Sequence, residues 1–576
     1  MFKLAKGRAS AWAILGAVLF MIVQVVASLY LPNLTADIVN KGVALGDTDY
    51  IWHAGFKMIG CAVISVVASV CNVFLAAKVS QKLGQRIRSD IYRKVINFSH
   101  DEMDQVGTSS LITRTTNDVT QIQNVWVMIL RMMIMAPIML VGASFLAYQK
   151  NHTLTMIFLI VIPIMMVFIG IMMVFAVPLF RKMQEKTDKI NLVFREGLTG
   201  VRVIRAFRQD DFEQERFDDA NKDYTDNAVK VFSIMALAMP VMTLIMSGTN
   251  IGIDWWGGHL IAQQALETGN LIAFITYAMQ ILMSFMMLSM ILMFIPRAQA
   301  SATRINEVLN LTTTIKTPAN PTPLDQQHAS LTFDHVDFRY HGAEDPALTG
   351  IDFDMHAGQT LAIIGGTGSG KSTLVNLIPR FYDVEAGAVK VDGVNVRDLD
   401  LKALHDAVAF VPQKANLFTG TVRDNMKYGN EDATDDEIWH ALEIAQAKDF
   451  IEENPEGLDY HVEQGGGNFS GGQKQRLAIA RALVKDASVY VFDDSFSALD
   501  FKTDAMLRQA LKDDEKISNR VVVIVGQRVS TVADADTIVV LEDGKMVGRG
   551  SHAELKASNV TYQEIIKSQI REGDED

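Results

Sequence analysis

Apolar and polar positions divide this chain into two halves with different periods. In the first half, apolar runs recur over about 11–31, 52–77, 125–148, 153–180, 231–263 and 271–296, the first of them uncharged. Each can cover a hydrocarbon core of ~30 Å, which takes about 20 helical residues. Six transmembrane helices are predicted. The first run follows Lys3, Lys6 and Arg8. A signal peptide would have a shorter apolar core ending at a small-residue cleavage site, so an uncleaved span is expected. From Leu331 the period changes to two, with alternation through Tyr340 that predicts an antiparallel strand. Between the halves, 312–330 is polar and holds Pro318, Pro321 and Pro323, which stop the sixth helix. The expected division is a membrane domain at 1–311, a linker at 312–330 and a second domain at 331–576.

Basic residues set the orientation. The segment 78–124 carries Lys78, Lys82, Arg86, Arg88, Arg93, Lys94 and Arg114. The segment 181–230 carries eleven more, from Arg181 to Lys230, whereas 33–51, 149–152 and 264–270 hold only Lys41 and Lys150. The positive-inside rule places the N-terminus, both long segments and the second half in the cytoplasm. Both long segments lack proline and keep helical patterning, so their helices are expected to run well past the membrane. They must reverse near Phe98–Gly107 and Phe207–Arg216, where short amphipathic helices could dock on a cytoplasmic domain; a solvated hairpin is the alternative. Met132, Met133, Met135 and the stretch from Met283 to Met293 make the spans rich in methionine. Such a surface adapts to varied apolar partners, or serves plain lipid-facing and core packing. Asp254 beside Trp255 and Trp256 reads as an interfacial anchor, and Arg131 as a residue at the cytoplasmic interface.

Candidate chemistry lies in the second half. Gly365, Gly366, Thr367, Gly368, Ser369, Gly370, Lys371 and Ser372 fit Gly-x-x-x-x-Gly-Lys-Ser/Thr without a mismatch. An apolar strand, Thr360–Ile364, precedes the loop, and a helix opening at Thr373 follows it. Glycines leave backbone N–H groups bare to wrap a phosphate. Lys371 is expected at the β/γ-phosphates and Ser372 at Mg²⁺. Three further apolar runs end in polar groups: one at Gln413, one at Asp493 and Asp494, and one at Gln527. Ligands of open α/β sheets bind at the carboxyl ends of strands, so these groups are expected to converge on the loop. Tyr340 either stacks on a nucleotide base or only packs.

Bulk composition agrees with a membrane part joined to a polar part: 576 residues, 49% hydrophobic and 21% charged, with a mean hydropathy of +0.16. The net charge of −13 points away from a nucleic-acid partner. Cys61 and Cys71 are ten residues apart in one apolar run. On a helix their Cα atoms stand ~15 Å apart, too far for a disulfide.

These motifs together resemble the nucleotide-binding domain of an ABC (ATP-binding cassette) transporter. Ser470, Gly471, Gly472 and Gln473 match the family signature, with Phe469 where leucine is usual. Gln413 matches the Q-loop, Tyr340 the base-stacking loop, Ser497–Asp500 the D-loop, and Glu463–Gly467 the segment that meets coupling helices in exporters. Six spans ahead of one cassette resemble an exporter half-transporter in the plasma membrane. The implied fold is an all-α six-helix transmembrane domain fused to an α/β P-loop ATPase. The resemblance implies ATP bound by Tyr340, Gly365 to Thr373 and Gln413, and Mg²⁺ held by Ser372, Gln413 and Asp493. It also implies a dimer in which the signature and Asp500 complete the partner's site.

Two positions depart from the family pattern. The glutamate usual after the Walker B aspartate is Asp494, and the switch histidine is Gln527. Both are catalytic positions of one site. The expectation is a heterodimer with one degenerate ATP site, whose partner carries the usual glutamate and histidine and which exports amphipathic compounds or lipids through the bilayer. The alternatives are a homodimeric lipid flippase, a peptide exporter and an ATP-gated channel. A peptide exporter of the bacteriocin type would be expected to carry a peptidase domain ahead of the first span.

Overall fold

The structure, a computed structural model, describes residues 2–325 and 328–569. It divides into two compact units. One comprises the chain up to Lys94 together with Ser109–Asn310; the other comprises Val95–Thr108 together with the chain from Leu311 onward.

The first unit is helical. Among the described residues, six helices are long and apolar enough to cross a membrane: Ala11–Val43, Thr48–Ile96, Thr108–Lys150, His152–Thr199, Asp210–Ala262 and Thr268–Leu288. The last continues to Asn310. The helices beginning at Thr48, His152 and Asp210 have 49, 48 and 53 residues. At ~1.5 Å per residue they are more than twice as long as a bilayer core is thick. Val63, Val66, Val67, Val70 and Phe74 on the second helix stay exposed, as a lipid-facing side requires. Cys61 and Cys71 are free thiols on that same helix.

Several polar groups inside this unit are paired across helices, since hydrocarbon offers no water to satisfy them. Tyr277 donates to Leu29 O at 3.0 Å, and Asn72 to Ala17 O at 2.7 Å. The third helix contains two π-turns, Arg114–Asp118 and Ile129–Met133. At the first, buried Asp118 accepts from Ser301 Oγ at 2.8 Å and from the Arg304 guanidinium of the sixth helix. Of the expected methionine stretch, the side chains of 289–293 lie outside the described residues.

The second unit is built on a ten-stranded sheet. Val408–Val411, Val489–Asp493, Val521–Val525, Thr360–Gly365 and Thr537–Glu542 lie side by side in that order, all parallel. Val489–Asp493 and Val521–Val525 are buried at every position. That is the pattern of strands covered on both faces, and it explains why they read as unbroken apolar runs. Lys545–Gly550 turns back antiparallel and joins an antiparallel portion of Leu348–His356, Ser330–Phe338, Ala386–Val391 and Val394–Asn395.

These units divide the chain differently from the expected 1–311, 312–330 and 331–576 in two places. First, Val95–Thr108 packs with the second unit. It holds the expected short helix, His100–Val106. The His100 ring stacks on Phe381 at 4.6 Å, and Tyr382 donates to Asp104 at 3.4 Å. Buried Glu102 closes a capping box with Ser99 and accepts from Thr314 N at 2.9 Å. Second, the expected linker belongs to the second unit: Thr322 N donates to Asp398 O at 2.8 Å and Leu324 packs on the core. Gln326 and Gln327 of that linker lie outside the described residues.

Glu102 makes the docked helix sensitive to pH. Burial pushes its carboxyl up, but hydrogen bonds from Ser99 and Thr314 outweigh burial and hold it below the usual glutamate value. A depressed folded pKa contributes stability that is full above the unfolded value of about 4.3 and is lost as pH falls through the folded value. Limited proteolysis of 95–108 is therefore expected to be constant from about pH 8 to 5 and to quicken below about pH 4. Glu102→Ala should bring that quickening to neutral pH, at a cost of about 1–3 kcal/mol for the donors left unpaired.

Candidate functional site

Register places the site. Ile363 pairs with Val525, and Val525 with Asp493, while Val411 pairs with Phe492. These four of the five parallel strands therefore end at one edge, and the residues that follow them meet there. The glycine loop follows Thr360–Gly365, Asp494 follows Val489–Asp493, Gln527 follows Val521–Val525 and Gln413 follows Val408–Val411.

A cavity of ≈ 390 Å³ opens at this edge. Thr367, Gly368, Gly370, Lys371, Ser372 and Thr373 form one wall, with Tyr340, Gln413, Asp494 and Gln527 around them. Gly370 opens the helix Lys371–Asn376 with φ +96°. A Cβ there would come within 2.8 Å of Leu348 Cδ2, so both the backbone turn and the close approach require glycine. Ser369 is buried and its Oγ has no hydrogen-bond partner. Lys371 Nζ donates to Gly365 O at 2.9 Å and Gly366 O at 2.7 Å. Burial pushes the Lys371 ammonium down, against the pull of Asp494 and Asp493. An anion beside it would restore the charged form.

Asp493 is buried, and Ser372 Oγ donates to its Oδ1 at 3.0 Å. Burial above all pushes the Asp493 carboxyl up; the Ser372 bond opposes this and the adjacent Asp494 charge adds to it. A carboxylate, a hydroxyl and the nearby Gln413 amide are hard oxygen donors, and that set fits Mg²⁺. Asp494 is also buried, at φ +48°, a left-handed conformation rare outside glycine. Such a residue persists only where its surroundings hold it. Here Ser497 Oγ donates to its carbonyl at 2.8 Å. Its Oδ2 accepts from Gln527 Nε2 at 2.8 Å and from Gln413 Nε2 at 3.1 Å.

The strand Ser330–Phe338 stops two residues short of Tyr340, to which the alternation extends. Its hydroxyl pairs with Thr373 Oγ1 at 2.9 Å. Tyr382 meets its ring edge-on at 5.3 Å. Sequence reasoning missed Tyr382 and also Asp543, which lines the cavity. The Asp543–Gly544 pair was the available signal, a tight turn between two apolar runs.

The signature residues do not line this cavity. Ser470 caps the helix Gly471–Leu483: its Oγ accepts from Gln473 N at 3.3 Å while Gln473 Oε1 accepts from Ser470 N at 2.9 Å. Phe469 is buried edge-on against Tyr460, at 5.7 Å. Gly472 lies so close to Ala498 that a Cβ would stand 3.3 Å from its carbonyl. Asp500 caps the helix Phe501–Asp513 through Thr503.

Family comparisons agree with this layout. Residues 14–285 match the ABC transporter transmembrane region, and 348–497 match the ABC transporter ATP-binding family. The chain belongs to the ABC transporter family. An uncharacterized ABC transporter ATP-binding protein of Mycobacterium tuberculosis is 41% identical over 555 residues, covering 96% of this chain and 95% of the relative. An ATP-dependent lipid A-core flippase of Chromobacterium violaceum is 30% identical, over 95% of this chain and 92% of the relative. A bacterial Atm1-family ABC exporter solved with ATP bound superposes with a TM-score of 0.80 at 25% identity, over 97% and 98% of the two chains. This ABC protein is an exporter half-transporter, a multi-pass membrane protein with an ATPase fused to its spans.

ATP affinity tests the site. Stacking on an aromatic ring contributes about 1–3 kcal/mol per base, so Tyr340→Ala should weaken binding of a fluorescent ATP analogue about 5- to 150-fold. Lys371→Ala should abolish that binding in the same titration.

Proposed function

We propose that this chain is one subunit of a heterodimeric exporter of amphipathic compounds in the plasma membrane, with its ATPase unit in the cytoplasm. Its own Walker residues bind ATP and turn it over poorly. Its intact Ser470–Gln473 signature completes the competent site of a partner that carries the usual glutamate and histidine. Mg²⁺ held by Ser372, Asp493 and Gln413 would neutralise phosphate charge in the chain's own site.

The observation that carries this reading is the state of Asp494. Aspartate is one methylene shorter than glutamate, which withdraws the carboxylate by ~1.5 Å. Oδ2 is further engaged by two amide donors, Gln527 and Gln413. Gln527 donates like the usual histidine but carries no imidazolium charge. The binding groups around it are the usual ones.

A homodimeric lipid flippase is the second reading, and the 30% identical lipid A-core flippase favours it. ATPase activity of the purified chain separates the two. Misplacing a catalytic group by ~1 Å costs about 100-fold. On the heterodimer reading the chain alone is nearly inactive, and the Asp494→Glu, Gln527→His double variant gains about 100-fold. Brisk hydrolysis by the wild-type chain alone would make Asp494 a working base and favour the homodimer.

A further inference from the structure

Within the membrane unit, the third and sixth helices leave a cavity of ≈ 240 Å³ between them. Met135 and Met139 of the third helix and Met279, Met283 and Met287 of the sixth line it. The spacing is i, i+4 on one helix and i, i+4, i+8 on the other, so each set forms a stripe along one helix face. Methionine side chains are unbranched and polarizable, and refit to apolar bodies of different shape. No charged side chain lines the cavity among the described residues.

Gln280 is the polar exception that needs a partner. It lines the cavity, and its Oε1 is buried with no hydrogen bond. The two hydroxyls of the same wall cannot serve it. Thr276 Oγ1 donates to Ile272 O at 3.0 Å, and Ser284 Oγ to the Gln280 backbone carbonyl at 2.6 Å. On the neighbouring fifth helix, Asn250 Nδ2 stands 3.6 Å from Met279 Sδ, and its Oδ1 is likewise buried without a partner. An amide oxygen left unpaired away from water is costly. A lipid chain filling the cavity would leave it so, whereas a ligand with an N–H or O–H donor would satisfy it.

We propose that this cavity is a substrate subsite for apolar ring systems that carry a hydrogen-bond donor, with Gln280 Oε1 as the acceptor that selects them. The assignment rests on the export of amphipathic compounds. At ≈ 240 Å³ the cavity is smaller than the ~300–1,000 Å³ that encloses a whole drug-sized molecule. It therefore receives one ring system of a larger ligand. With no charged wall, it suits neutral ligands and cations whose charge is delocalised.

Two lipophilic cations test this. Rhodamine 6G carries secondary amine N–H donors, and tetraphenylphosphonium carries none. Binding of each is measured on the full-length protein in lipid nanodiscs, by fluorescence anisotropy and by flow dialysis. Gln280→Met, which keeps the side-chain shape and removes the amide acceptor, should weaken rhodamine 6G about tenfold and leave tetraphenylphosphonium unchanged. Met283→Trp, which fills the cavity, should lose both, and it carries the test if Gln280→Met does not fold. Unchanged rhodamine 6G binding by Gln280→Met overturns the proposal. So does normal binding of both probes by Met283→Trp, which assigns the cavity to acyl chains or a second subunit; in either case the export reading stands. If the wild type binds neither probe, the export of amphipathic compounds fails and the subsite fails with it.

Discussion

The strand Val521–Val525 lies hydrogen-bonded between Thr360–Gly365 and Val489–Asp493, and the site depends on that register. A slip of one residue would move every side chain to the other face. It would bury Gln527 or expose the valines, and part Asp494 from the glutamine that now holds its Oδ2. The register is protected because both faces of these strands are buried in apolar cores. Packing of valine, isoleucine and leucine thus sets the positions of lysine, serine and carboxylate at the edge. Burial also costs Asp493 and Lys371 their ordinary titration. The groups that bind are held in the state that gains most from an incoming phosphate and cation.

The membrane unit meets a different constraint. Its long helices satisfy their own backbones, so cross-helix specificity falls to a few polar side chains. Most are paired: Tyr277 with Leu29, Asn72 with Ala17, Asp118 with Ser301 and Arg304. Against that background the unpaired oxygens of Gln280 and Asn250 stand out. Polar groups in a membrane interior are costly and tend to mark function.

Legibility from the sequence followed how local each signal was. The phosphate loop, the signature and the strand-terminal carboxylates were readable because their chemistry fixes residue types at short spacings. Six spans were readable because hydrocarbon demands long apolar runs. Docking of a short helix near Phe98–Gly107 on a cytoplasmic domain was among the expectations, but the residues it docks on, Phe381, Tyr382 and Thr314, are all more than 200 residues away in the chain. The short helix was foreseen, but its partners were not. The linker deceived for a related reason: prolines end a helix locally, while a backbone bond to Asp398 ties the segment to the second unit. Strand ends were also blurred. Asp494 continues an apolar run into a carboxylate pair, yet its φ of +48° takes it out of the strand.

The departures from the family pattern fall at two places in the ATPase unit, at the ATP cavity and beside the signature. Phe469 replaces a leucine beside the signature, but Tyr460 and Phe450 make an aromatic pocket for it. The capping box of Ser470 and Gln473 keeps its geometry, and Gly472 keeps its close contact with Ala498. Asp494 and Gln527, the two departures at catalytic positions, bond each other. A longer glutamate would not fit the same 2.8 Å contact without moving its carboxylate, so the two substitutions are coupled by geometry. On the proposed heterodimer, an intact signature for the partner's nucleotide beside a shortened carboxylate at the chain's own nucleotide is the arrangement that unequal sites require.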